Sequence, residues 1–138
     1  MGKPRGPKAK GAGRIAPPPS EGVDPNTQLV VFGFQHIVRG FDLSRANALD
    51  GYNLVDALRM RCSITWAQII GSPRQKMGCE KIAAALKVEI PDALPKDKKE
   101  SLQCFRFGGD VERFIGYRHG STFEIVWIDH GGQTYDHG

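Results

Sequence analysis

The sequence predicts an α+β fold: an N-terminal strand, two or three short helices, then a three- to four-stranded antiparallel meander. Three observations carry this. Apolar side chains form β-branched and aromatic blocks at 28–38 and again from 102 onward, whereas from Tyr52 to Cys62 they recur every three or four residues. The separators Gly108-Gly109-Asp110 and His119-Gly120 are too short for a crossover, so the strands they join are antiparallel neighbours. At 138 residues the chain has room for one domain, expected over 27–138 behind a disordered basic Gly/Pro-rich tail over 1–26.

Each element has its own signal. The block 28–38 reads as one strand, or as two broken at Gly33. Residues 42–50 are a polar connection. Leu54, Val55, Leu58 and Cys62 set the period of the first helix and leave Asp56, Arg59 and Arg61 outward. Ser63 or Thr65 offers an N-cap for a second short helix with Trp66, Ile69 and Ile70, ended by Gly71-Ser72-Pro73. A third helical stretch is expected over 80–86, and a solvated connection over 91–100. Strands follow at 102–107, 111–118 and 122–129, with a short final one at 133–136. By alternation, Phe105 and Phe107 share a face, as do Phe123, Ile125 and Trp127.

Composition narrows the function classes. No run approaches the roughly 18 to 20 consecutive apolar residues of a membrane span, and no apolar stretch follows the basic N-terminus as in a secretory signal. Three cysteines at unrelated spacings (Cys62, Cys79, Cys104) suit a reducing compartment, so a cytoplasmic location is expected. The net charge is +4, but Lys3, Arg5, Lys8, Lys10 and Arg14 against Glu21 and Asp24 give residues 1–24 a net +3, and the rest only +1. Within that rest, residues 59–81 hold Arg59, Arg61, Arg74, Lys76 and Lys81 against Glu80 as the carboxylate. This local imbalance is the stronger sign of a nucleic-acid partner.

Arg106, in the middle of a short sheet, must be paired or wet. It either pairs with Glu112 or Glu124 across strands or serves as a phosphate clamp, through the two parallel hydrogen bonds that a guanidinium fork donates. Asp129-His130-Gly131 and Asp136-His137-Gly138 repeat one tripeptide, yet no HxH, HExxH or CxxC spacing exists, so neither a metal nor another cofactor is expected. Tyr135 and His137 project to one side of the last strand: either the histidine donates a proton to a leaving oxygen there, or Tyr135 packs and His137 frays in water. Cys79 follows a glycine at the start of the expected third helix, where a thiol pKa can fall, but without a defined histidine partner a buried structural role is the expectation.

The order strand, two helices and a meander with an arginine and a Tyr/His-containing C-terminus resembles the RelE/ParE toxin superfamily. The stretch FRFGGDVERFIGYRHGSTFEIVWIDHGGQTYDHG is also similar to the C-terminal end of a group of short bacterial and phage proteins. RelE/ParE proteins are small bacterial toxins paired with an antitoxin, and many RelE-type members cleave mRNA on the ribosome. The resemblance implies attack of an RNA 2′-hydroxyl on its neighbouring phosphate, without metal. It implies Arg106, Arg118, Lys81, Tyr135 and His137 as catalytic candidates, and Arg74, Lys76, Arg113, Arg59 and Arg61 as RNA-contacting residues. The partners expected are RNA, on or off the ribosome, and a separate antitoxin, with no membrane. Two further readings are a non-catalytic module binding protein or nucleic acid and a ParE-like gyrase inhibitor.

Overall fold

The computed structural model describes residues 22–82, 85–109 and 111–135. Expectations for most of the basic tail, and for Asp136 and His137, lie outside them. The chain forms β1 (Val31–Gly33), α1 (Ala48–Arg61), α2 (Trp66–Ile70), β2 (Cys79–Lys81), β3 (Gln103–Arg106), β4 (Arg113–His119) and β5 (Thr122–Asp129). One five-stranded mixed sheet runs in the order β1-β5-β4-β3-β2. β2 to β5 are antiparallel neighbours, and β1 lies parallel to β5 with Val31 opposite Thr122. The fold class is therefore α+β. Among the described residues no helix is long and apolar enough to cross a membrane.

Several boundaries differ from expectation for local reasons. β1 is three residues long rather than about ten, because the chain before it pairs elsewhere. Val30 N–H donates to the Ile64 carbonyl at 3.2 Å and Trp66 N–H to that of Gln28 at 3.1 Å. α1 starts at Ala48 because the Asn47 side chain accepts from Asp50 N–H, a cap hidden in the polar connection. Thr65 caps α2 reciprocally with Gln68. Residues 79–81, expected to open a helix, instead form edge strand β2, with Cys79 opposite Phe105. The final segment, expected as a strand, makes one isolated bridge, Leu86 to Tyr135.

Both faces of the sheet are covered, which explains the apolar density of β4 and β5. Under α1 and α2 lie Leu54, Trp66 and Ile69 against Phe105, Phe114 and Phe123. Phe105 stacks on Phe114 with ring centroids 5.0 Å apart and meets Phe123 edge-on at 4.9 Å. The far face holds Leu94, Leu102, Cys104, Ile115, Tyr117, Trp127 and Tyr135, roofed by Val38, Phe41, Ile82 and Val88 from irregular segments.

Trp127 belongs to this second cluster, not to the side of Phe123 and Ile125 as strict alternation predicts. The register gives the cause: Gly116 faces Ile125 while Ile115 faces Trp127, so Val126 is an extra residue, a β-bulge. Gly116 is the partner this bulge requires. A Cβ there would stand 1.8 Å from the Glu124 carbonyl oxygen, against backbone that cannot step aside. Gly116→Ala is expected to destabilise the fold by about 2–3 kcal/mol, read as a lower urea midpoint; an unchanged midpoint would show that the bulge relaxes freely.

Candidate functional site

The meander places Arg106 directly opposite Arg113, and Arg113 opposite Asp129. By the two-residue period all three share the face of Cys104 and Tyr135. Glu80, in register with Cys104, joins them from β2. A row of charge thus crosses one end of the sheet. Its outer half is accessible: the side chains of Arg106 and Glu80 are 29% and 23% exposed. Its inner half is buried, with Arg113 at 4% and Asp129 at 1%.

Arg106 pairs with neither Glu112 nor Glu124. Its Nη2 stands 3.6 Å from Glu80 Oε2, and Arg74 Nη1 approaches the same oxygen at 3.3 Å. Both distances exceed those of a charge-assisted hydrogen bond, about 2.7–2.9 Å. Arg106 Nε itself is buried and has no hydrogen-bond partner among the described residues. One carboxylate oxygen thus serves two guanidinium groups loosely.

The inner groups are firmly engaged. Asp129 Oδ1 accepts from the N–H groups of Gly131 and Gln133 at 3.2 and 3.0 Å, and Oδ2 from Thr134 N–H at 2.9 Å and Thr134 Oγ1 at 2.6 Å. Burial pushes the Asp129 carboxyl pKa up, but these hydrogen bonds together outweigh it and leave the pKa below 3.8. The Tyr135 hydroxyl and Cys104 Sγ share a hydrogen bond at 3.1 Å. Burial and then that bond raise the Tyr135 pKa well above 10, and burial raises that of Cys104 to about 11. Tyr135 therefore stays a phenol at neutral pH and holds its proton in the core.

The other candidates scatter. Arg118, five positions along β4 from Arg113, faces the helices. Its guanidinium lies 4.1 Å from the Trp66 ring and donates to the Gly120 carbonyl and Asn26 Oδ1. Strand alternation, unbroken there, puts it on the face opposite Arg106. Lys81 pairs in register with Gln103 and by the same rule shares that opposite face. Arg59 bonds Asp56 Oδ1 at 2.8 Å on an exposed helix turn. Lys76 is exposed in the loop after α2. His137 lies outside the described residues. Cys79 opens a strand, and burial raises its thiol pKa, so the activated-thiol reading falls. Among the described residues no three His, Cys, Asp or Glu side chains gather as a metal would need.

Arg61, expected outward, is 2% exposed. Helix α1 turns by about 100° per residue, which aligns position 61 with buried Leu54 and Ala57. The guanidinium lies 5.0 Å from the Phe105 ring centroid and donates to the carbonyls of Ala57 (3.1 Å), Lys76 (2.8 Å), Met77 (3.0 Å) and Arg106 (3.4 Å). Loop 72–78 can offer those carbonyls because Gly78 closes it: a Cβ there would stand 2.2 Å from the Ser72 carbonyl oxygen. Burial pushes the Arg61 pKa down to about 10. The charge therefore costs stability, and the hydrogen bonds and ring contacts supply the gain.

Arg61 also lies beneath a cleft of about 400 Å³ between α1, loop 72–78 and the β3–β4 turn. Asn53, Asp56, Met60, Lys76 and Arg106 line it, and sequence reading missed it. The one signal available was the i, i+3 spacing of Asn53 and Asp56. Comparison with protein-family models, curated proteins and solved structures gives no match.

Two predictions follow from the burial. Arg61→Ala should cost about 3 kcal/mol or more, because several inward carbonyls lose their donor at once, whereas Arg59→Ala should leave the melting temperature nearly unchanged; equal effects would contradict the placement. Asp129 has a folded pKa below its unfolded value. Its stabilisation is present above about pH 4 and lost as the pH falls through the lowered value. Asp129→Asn should therefore flatten the acid limb of a stability-versus-pH curve, and an unaltered limb would assign acid sensitivity to other carboxylates.

Proposed function

We propose that this chain is a RelE-like, toxin-type endoribonuclease that grips an RNA phosphate with Arg106 and Arg74. The observation that supports this is the loose sharing of the Glu80 carboxylate by two guanidinium groups, with Arg113 directly behind Arg106. Like charges opposite one another on neighbouring strands weaken a sheet. A row built this way gains when a phosphate arrives at the partly exposed guanidinium ends of Arg106 and Arg74. In this reading Glu80 occupies the anion position until RNA displaces it.

The chemistry is attack of the 2′-oxygen on the adjacent phosphorus, its hydroxyl proton passing to solvent water, with loss of the 5′-oxygen of the next nucleotide, leaving a 2′,3′-cyclic phosphate. The larger contribution is stabilisation of charge on the phosphoryl oxygens by Arg106. Arg113 is a positioning residue, too deep to touch the phosphate itself. His137 is the candidate acid for the leaving oxygen. Tyr135 orders the core beside Arg113 and transfers no proton. The outward face of α1 bears Leu49, Tyr52, Val55 and Met60, all at least 43% exposed. Such a patch suits a protein partner, which in this reading is a separate antitoxin. The same patch is the observation favouring the second reading, a non-catalytic protein-binding module.

Arg106→Ala is expected to lower RNA cleavage by about 10²–10³-fold and to relieve growth arrest without unfolding the protein. Glu80→Gln should tighten RNA binding and make it more salt-sensitive, since a competing carboxylate is gone. Harmless expression of the wild type, with no RNA cut in the presence or absence of ribosomes, would leave the binding-module reading.

A further inference from the structure

The cleft above Arg61 meets the phosphate grip at the end of β3, where Arg106 lines the cleft and its carbonyl accepts from Arg61 while its side chain joins the charged row on the other face of the sheet. Its walls differ in kind from the charged row. Asn53 and Asp56 stand one turn apart on α1 and so point to the same side. The Asn53 amide is half-buried and makes no hydrogen bond to any described residue. Its Nδ2 lies over the β3–β4 turn, 3.3 Å from where a Cβ of Gly108 would be. Arg59 Nε and Nη2 both donate to Asp56 Oδ1, at 3.3 and 2.8 Å, so Oδ2 is left without a described donor. Met60 and Met77 supply apolar wall on either side. At about 400 Å³ the space is in the range of a small organic ligand.

We infer that this cleft seats a guanine base of the RNA whose phosphate Arg106 holds; the inference rests on the reading above for the phosphate but not for the base. Chemistry selects the base. A carboxylate oxygen wants donors, and guanine alone among the four offers two adjacent ones, N1–H and the N2 amine. Adenine and cytosine present a ring nitrogen acceptor beside their amine, which a carboxylate repels. The uracil N3–H is flanked by two carbonyls. The free Asn53 amide can donate to guanine O6 or N7, and the thioethers of Met60 and Met77 pack on the ring faces.

The test titrates the full chain by calorimetry with guanosine, inosine and adenosine, then with the four 5′-monophosphates. Guanosine should bind about tenfold or more tightly than inosine, which lacks the N2 amine, and than adenosine. Asp56→Asn, which alters an exposed side chain, should erase that preference while leaving the melting temperature and the shared affinity of the monophosphates intact. Arg106→Ala should weaken all four monophosphates alike and leave the guanosine preference standing. Equal binding of guanosine and inosine, no nucleoside binding, or a preference that survives Asp56→Asn would each overturn the base site. Loss of the base preference with monophosphate binding retained would overturn the cleft alone. Guanosine binding with no contribution from Arg106 would overturn the phosphate grip alone.

Discussion

Arg61 stands where the end of α1, the loop after α2 and the end of β3 meet, and its guanidinium takes carbonyls from all three. A charge so deep is costly, as its depressed pKa records. It is tolerated because a planar fork can satisfy several inward carbonyls while its face rests on aromatic rings. No apolar residue could do the first, and a lysine could do neither as well. The relation of α1 to the sheet follows from this one group. With it come the walls of the cleft, since Asn53 and Asp56 ride on α1 and Lys76 on the loop that Arg61 ties down.

The sheet supplies the second constraint. Its helix-covered face is filled by phenylalanines in mutual contact, and its far face by a looser collection under irregular chain. The bulge at Val126 decides which face each residue of β5 serves, and with it where Asp129 falls. Asp129 then fixes the turn leading to Tyr135. The buried half of the charged row is thus structural, and the exposed half, Arg106 with Glu80 and Arg74, is the part available to a ligand. Position along the row separates the two roles.

Fold class, the two helices and the three long strands were legible because their apolar periods are strong and their turns short. Three features were not. β2 has three residues, two of them charged, and its pairing with β3 is a long-range choice invisible to local pattern. The side of Trp127 required knowing that one residue bulges, which period-two counting cannot include. Arg61 looked like a surface cation because arginine usually is one, although its helical phase with Leu54 and Ala57 already pointed inward. For the site, the sequence singled out Arg106, Arg113 and Tyr135, which do lie on one face, but it grouped them with Arg118 and Lys81, which strand alternation sends to the other. The cleft itself was unreadable, since it joins residues from 53 to 109 that share no motif.

The parallel pairing of β1 with β5 joins Val31 to Thr122, some ninety positions apart. During synthesis β1 therefore emerges long before the strand it will lie against, and α1 and α2 appear before most of the phenylalanine surface they cover. Neither the sheet nor its charged row can close until the C-terminal strands have left the ribosomal exit tunnel. The row that joins Arg106, Arg113 and Asp129 accordingly assembles only once β5 has emerged, so the fold's own topology makes it one of the last parts of the described structure to form.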